Sequence, residues 1–157
     1  GLCIIKKKFN FGKLNKFFLK SFYEPELPFK LQPYLNKIAN SSIDISDGLL
    51  QDLSHLCFFK KFGAIIDLKR IPLSLSSRYL VNSGKIKVKN IFSRGDDYQF
   101  LFTSNSNNRK KINILSKKLN LKITRIGKIN NQKVITFKDN DKIFDARSTK
   151  MGYIHNF

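Results

Sequence analysis

Two short stretches carry carboxylates at spacings that suit phosphate and metal chemistry, Asp44-Ile45-Ser46-Asp47-Gly48-Leu49 and Gly95-Asp96-Asp97-Tyr98-Gln99-Phe100. Side chains alternate along an extended backbone, so a strand through the first stretch puts Asp44 and Ser46 on one face, while Asp47 falls where a helix can begin. Two carboxylates and a hydroxyl then converge on one small volume. Magnesium is a hard cation that takes oxygen ligands and keeps several waters, so one or two such carboxylates plus substrate phosphates suffice to hold it. The same residue types also serve as helix caps, because Asp and Ser accept hydrogen bonds from the first free amides of a helix. On spacing alone, both a cap and a magnesium-bound nucleotide fit the first stretch.

The surrounding pattern predicts the elements that position these residues. A helix is expected over residues 12–23, with Leu14, Phe18 and Phe22 at helical spacing as core residues, ended by Glu24-Pro25 because the residue before proline leaves helical geometry. A second helix follows Pro28 and ends near Ala39. Residues 43–46 read as a strand, and residues 48–60 as an amphipathic helix facing inward with Leu49, Leu53 and Leu56, stopped at Gly63. Further on come strands at 64–68 and 98–103, helices at 76–82 and 108–119, and strands at 122–126 and 133–137. Asp139-Asn140-Asp141 turns the last of these into a hairpin with residues 142–145. Helices and strands mix without strict alternation, which predicts an α+β fold with a mixed, mostly antiparallel sheet covered by helices.

Length and composition are those of one domain. The 157 residues can bury a real core, and 41% hydrophobic with 13% aromatic residues excludes a disordered tail. Two cysteines, Cys3 and Cys57, are too few for a disulfide framework or a zinc site, which makes a reducing compartment the default. The apolar start precedes its basic residues, the reverse of a secretory signal, and no run reaches the roughly 20 apolar residues of a membrane span. A cytoplasmic protein without membrane contact is the plain reading. The net charge of +19 raises the alternative of a basic nucleic-acid-binding domain. The lysines, however, are spread along the chain, as a solvated face would have them.

The first stretch, continued through Leu50, Asp52 and Leu53, resembles the DxSDGLxxDL signature of thiamine-monophosphate kinases. Residues Arg94-Gly95-Asp96-Asp97-Tyr98-Gln99-Phe100 resemble that family's GG[ED]DYEL, and Gly152-Tyr153-Ile154-His155 its closing GYDHF. Arg94, Gln99 and Ile154 depart from the pattern. Weaker likenesses lie at the proline segment 25–35, at Ile66-Asp67-Leu68 through Ile71-Pro72-Leu73-Ser74, and at Arg125-Ile126-Gly127-Lys128-Ile129. No P-loop, dinucleotide fingerprint, HExxH or GxSxG occurs, so any ATP must be held by a different architecture.

The resemblance implies the C-terminal domain shared with aminoimidazole ribonucleotide synthetase, with residues 1–40 as a helical lead-in and 41–157 as the α+β domain. It places an ATP-binding N-terminal domain outside this chain, consistent with an apolar opening that lacks Met. It further implies ATP-dependent phosphorylation of thiamine monophosphate to thiamine diphosphate, with Mg2+ on Asp44 and Asp47, ATP touching Ser46, and substrate meeting Asp96 and Tyr153. No residue is assigned as acid or base, since a phosphate oxygen is already ionised near neutral pH. A homodimer is expected for the complete protein. The alternative from another class is a non-catalytic, stand-alone ligand-binding fragment.

Overall fold

The structure of the protein is a computed structural model that describes residues 2–58, 61–87, 91, 95 and 97–146. A short helix α1 (Leu2–Ile5) precedes α2 (Leu14–Tyr23), which ends where Glu24, ahead of Pro25, turns out of helical geometry. A single 3-10 turn leads into α3 (Gln32–Ile38), whose Pro33 sits in the first turn, where its missing amide costs nothing. Then follow β1 (Ser41–Asp44), α4 (Leu49–Phe58), β2 (Gly63–Asp67), α5 (Leu75–Asn82) and β3 (Phe100–Thr103). The described chain closes with α6 (Arg109–Leu119), β4 (Gly127–Asn130), β5 (Ile135–Asp139) and β6 (Lys142–Asp145).

Among the described residues the strands fall into two sheets. β1 and β3 form an antiparallel pair with Asp44 opposite Phe100, and the other sheet has the order β4-β2-β5-β6. Only β2 and β5 run parallel in it, so the fold is α+β with mixed, mostly antiparallel pairing. The 139–142 hairpin forms as expected, with Asn140 taking the left-handed φ of 54° that a tight loop needs.

Period and packing decide where the cores lie. α4 buries Leu49, Leu50, Leu53 and Cys57 on one face, against Ala64 and Ile66 of β2 and Phe137 of β5. Leu101 of β3 joins this cluster. Its neighbours Phe100 and Phe102 point the other way, as alternation along a strand demands, and pack on a second cluster of Leu31, Leu35, Ile38 and Leu115. β3 is therefore held between two cores.

Three expectations are corrected. Residues 122–126 are not a strand: Leu121 and Ile123 pack on the second cluster, and the ladder begins at Gly127. A Cβ on Gly127 would lie 2.2 Å from the Ile65 carbonyl oxygen, so only glycine admits this close approach of strands. Gly63 opens β2 rather than stopping α4, and the chain turns earlier, at Lys61 with φ 52°. Finally, α2 buries none of its residues. Its aromatic rings pack on one another, Phe17 on Phe18 and Phe22 on Tyr23, and its apolar face borders an open groove instead of a core. Among the described residues no helix is long and apolar enough to cross a membrane.

Candidate functional site

The two acidic stretches meet along one edge. Beyond the last formal pair of the β1–β3 ladder, the Ile45 amide donates to the Gln99 carbonyl and the Tyr98 amide to the Ile45 carbonyl, each at 2.8 Å. Asp44 and Ser46 are exposed while Ile43 and Ile45 are half-buried, so the alternation of an extended strand continues to Ser46. Gly95 then lies directly on the Ser46–Asp47 backbone. A Cβ there would sit 1.8 Å from the Ser46 carbonyl oxygen, and no flexible group could yield. Tyr98, between the two contacts, takes φ 50°, which side-chain-bearing residues rarely adopt. Such outliers recur at functional loops held firmly by their surroundings.

The loop from Ser46 into α4 is built around Asp52. This carboxylate is 2% exposed, and its Oδ2 accepts hydrogen bonds from the amides of Ser46 at 3.0 Å, Asp47 at 3.2 Å and Gly48 at 3.1 Å. Gly48 takes φ 124° to bring its amide round, a conformation open mainly to glycine. Burial pushes the Asp52 carboxyl above its ordinary value, outweighing the three amides that lower it, and the nearby charge of Asp47 adds to the rise. Capping thus comes from inside the helix. The Asp47 carboxylate instead takes a hydrogen bond from the Gln51 side chain at 3.2 Å.

Gln99 ties a third segment to this edge. Its side-chain amide donates to the carbonyls of Glu26 at 2.9 Å and Asp97 at 3.3 Å, so the proline segment 25–28 is hooked onto the second acidic stretch. A glutamate there could not donate either bond. An open groove of about 2460 Å³ is lined by residues from much of the chain, Phe18, Phe22, Pro25, Ser46, Asp47 and Tyr98 among them.

Asp44, Ser46 and Asp47 therefore share one loop and strand end, while Asp96, Tyr153, Arg94 and Ile154 lie outside the described residues. As a metal centre, the donor set is partial. Among the described residues no group of three or more His, Cys, Asp or Glu could enclose an ion. Two carboxylates at a strand end suit magnesium only if phosphates and waters fill the rest of its shell. The sequence motif includes Asp52 but assigns it no role. The signal was present, because Asp52 lies three residues after Leu49 and four before Leu56, an acid on the apolar stripe of its own helix.

A two-core α+β domain with an acidic edge is the class these observations define, and comparison with known proteins narrows it. Over most of its length the chain is similar to thiamine-monophosphate kinases. It is 36% identical over 152 residues to the thiamine-monophosphate kinase of Buchnera aphidicola subsp. Schizaphis graminum, a match covering 88% of this chain and 46% of that protein. The crystal structure of thiamine-monophosphate kinase from Stenotrophomonas maltophilia K279a is 30% identical, with a TM-score of 0.67 over 72% of this chain and 35% of its own. The same fold, at 24% identity and a TM-score of 0.68, occurs in AaThiL complexed with AMPPCP and TMP, over 91% of this chain and 45% of that one. The chain spans about half the length of the relatives it matches. No protein-family model matches it.

Proposed function

We propose that this chain is the C-terminal part of a kinase that transfers a phosphoryl group from ATP to thiamine monophosphate, giving thiamine diphosphate. The observation that carries the reading is the seating of Gly95 on Ser46 and Asp47, which makes one edge of the two acidic stretches. The AMPPCP and TMP held by AaThiL, a protein of the same fold, supply the ligand classes. In this reading residues 41–157 form the ligand-binding domain. The part of the family's length that this chain does not span closes the open groove and completes a cytoplasmic homodimer.

Asp44 and Asp47 would hold Mg2+, and the exposed hydroxyl of Ser46 would hydrogen-bond the nucleotide. Magnesium supplies charge neutralisation between two anionic reactants and alignment of attacking and leaving oxygens. The chain's own part is positioning. The Gln51 amide orients the Asp47 carboxylate, the Ile45–Gln99 and Tyr98–Ile45 bonds fix the strand end, and the Gln99 side chain holds the Asp97 carbonyl. Asp96 and Tyr153 would contact the thiamine monophosphate, Tyr153 through its ring face. The accepting phosphate oxygen is already ionised, so no side chain need remove a proton.

The test is formation of thiamine diphosphate by the gene product that contains this chain, supplied with ATP, Mg2+ and thiamine monophosphate. Asp47→Asn should lower the rate by on the order of a hundredfold or more, since a metal's charge stabilisation is worth several kcal/mol, and should leave the thermal midpoint nearly unchanged. Full activity in that variant would overturn the role of Asp47. A wild-type protein that makes no thiamine diphosphate would overturn the kinase reading.

A further inference from the structure

Three successive backbone amides, those of Ser46, Asp47 and Gly48, converge on one oxygen of Asp52. Convergent amides at the start of a helix form a nest of the kind that elsewhere takes up phosphate. Here the nest already holds a side-chain oxygen that belongs to the chain. Among the described residues Asp52 is the one buried charged side chain, and all three amides donate to its Oδ2.

We infer that Asp52 is a positioning residue that plugs this nest, so that ligand phosphate is kept off the start of α4 and would have to be held through Mg2+ on the Asp44 and Asp47 carboxylates and by the Ser46 hydroxyl. With the amides drawn inward, the loop backbone is fixed by three bonds at 3.0–3.2 Å, and the direction of the Asp47 side chain follows from it. Gln51, one residue before Asp52 on the same helix, holds the Asp47 carboxylate from the other side. Gly95 can settle on the Ser46 carbonyl only while this loop keeps its course. The inference rests on the metal reading above for the role of Asp47, but the plug itself does not.

Nuclear magnetic resonance of the 15N-labelled chain tests it with two probes, inorganic phosphate and Mn2+. In the wild type, the amide signals of Ser46, Asp47 and Gly48 should not move with phosphate, and Mn2+ should broaden signals around Asp47. In Asp52→Ala the three amides should shift saturably with phosphate, and the Mn2+ affinity should fall at least tenfold, with added formate restoring it. Asp52→Asn keeps an acceptor oxygen and the shape of the side chain, so it should keep Mn2+ affinity within about threefold. It also serves as the folded comparison if the alanine variant does not fold.

Wild-type amides that titrate with phosphate would overturn the plug. So would an Asp52→Asn variant that loses Mn2+ as fully as Asp47→Asn does, because charge rather than position would then be at work. A wild type that binds no Mn2+ would overturn the metal reading and the positioning of Asp47 together, while the phosphate arm still decides whether the nest is closed.

Discussion

At the scale of single residues, the site depends as much on a side chain that is missing as on those present. Gly95 meets the Ser46 carbonyl with no room for a methyl group. Gly95→Ala must therefore push the two stretches apart, an overpacking cost of about 1–3 kcal/mol. Denaturant unfolding should show that loss, and unchanged stability would mean that the contact is looser than it looks. That Asp44, Ser46 and Asp47 lie together was legible in the sequence, because they fall within four positions at a strand-to-helix junction, whereas their roles came from the resemblance and not from spacing. Asp52 was harder to read, since its function is exerted through backbone amides that no sequence displays. The bond from Gln99 to Glu26 was beyond reach for another reason, because it links residues 73 apart whose proximity exists only after folding.

At the scale of elements, hydrophobic period located α2 to α6 to within a few residues and placed β1, β2, β3, β5 and β6. It misled at residues 122–126 because period reports which side chains are buried, not whether a neighbouring strand is available. Leu121 and Ile123 are half-buried on the second cluster, yet apart from the Ile126 carbonyl, which accepts from the Asp67 amide, the pairing with β2 begins only where glycine lets Gly127 approach Ile65. It misled again at α2, where amphipathic spacing correctly marked an apolar face but not what that face would meet. α4 itself carries a pH signature. Cys57 is buried on its inner face, and burial pushes the thiol above its ordinary 9.0. The folded chain then keeps this proton to higher pH than the unfolded chain. The contribution is complete below the unfolded value and is lost as pH rises through the folded one. Stability measured by urea unfolding should fall as pH climbs above about 9, and Cys57→Ala should fall less steeply. Equal slopes for the two proteins would mean that the thiol is not shielded as described.

At the scale of the whole molecule, a charge of +19 is carried by a chain whose cores are small and whose acids are few. Self-repulsion of that size works against compactness, so cohesion has to come from how the cores are joined. They are joined through β3, which gives Leu101 to one and Phe100 and Phe102 to the other. Neither cluster can come apart without withdrawing a strand from its neighbour, so the domain should melt as one cooperative unit. Calorimetry should show a single transition whose calorimetric and van't Hoff enthalpies agree, and two resolved steps would contradict the shared strand. Gln99 and Tyr98 are the direct continuation of β3. Any excursion large enough to free the acidic edge from its strand therefore draws on the stability of the entire domain, and slow hydrogen exchange should reach from Phe102 to the margin of the site.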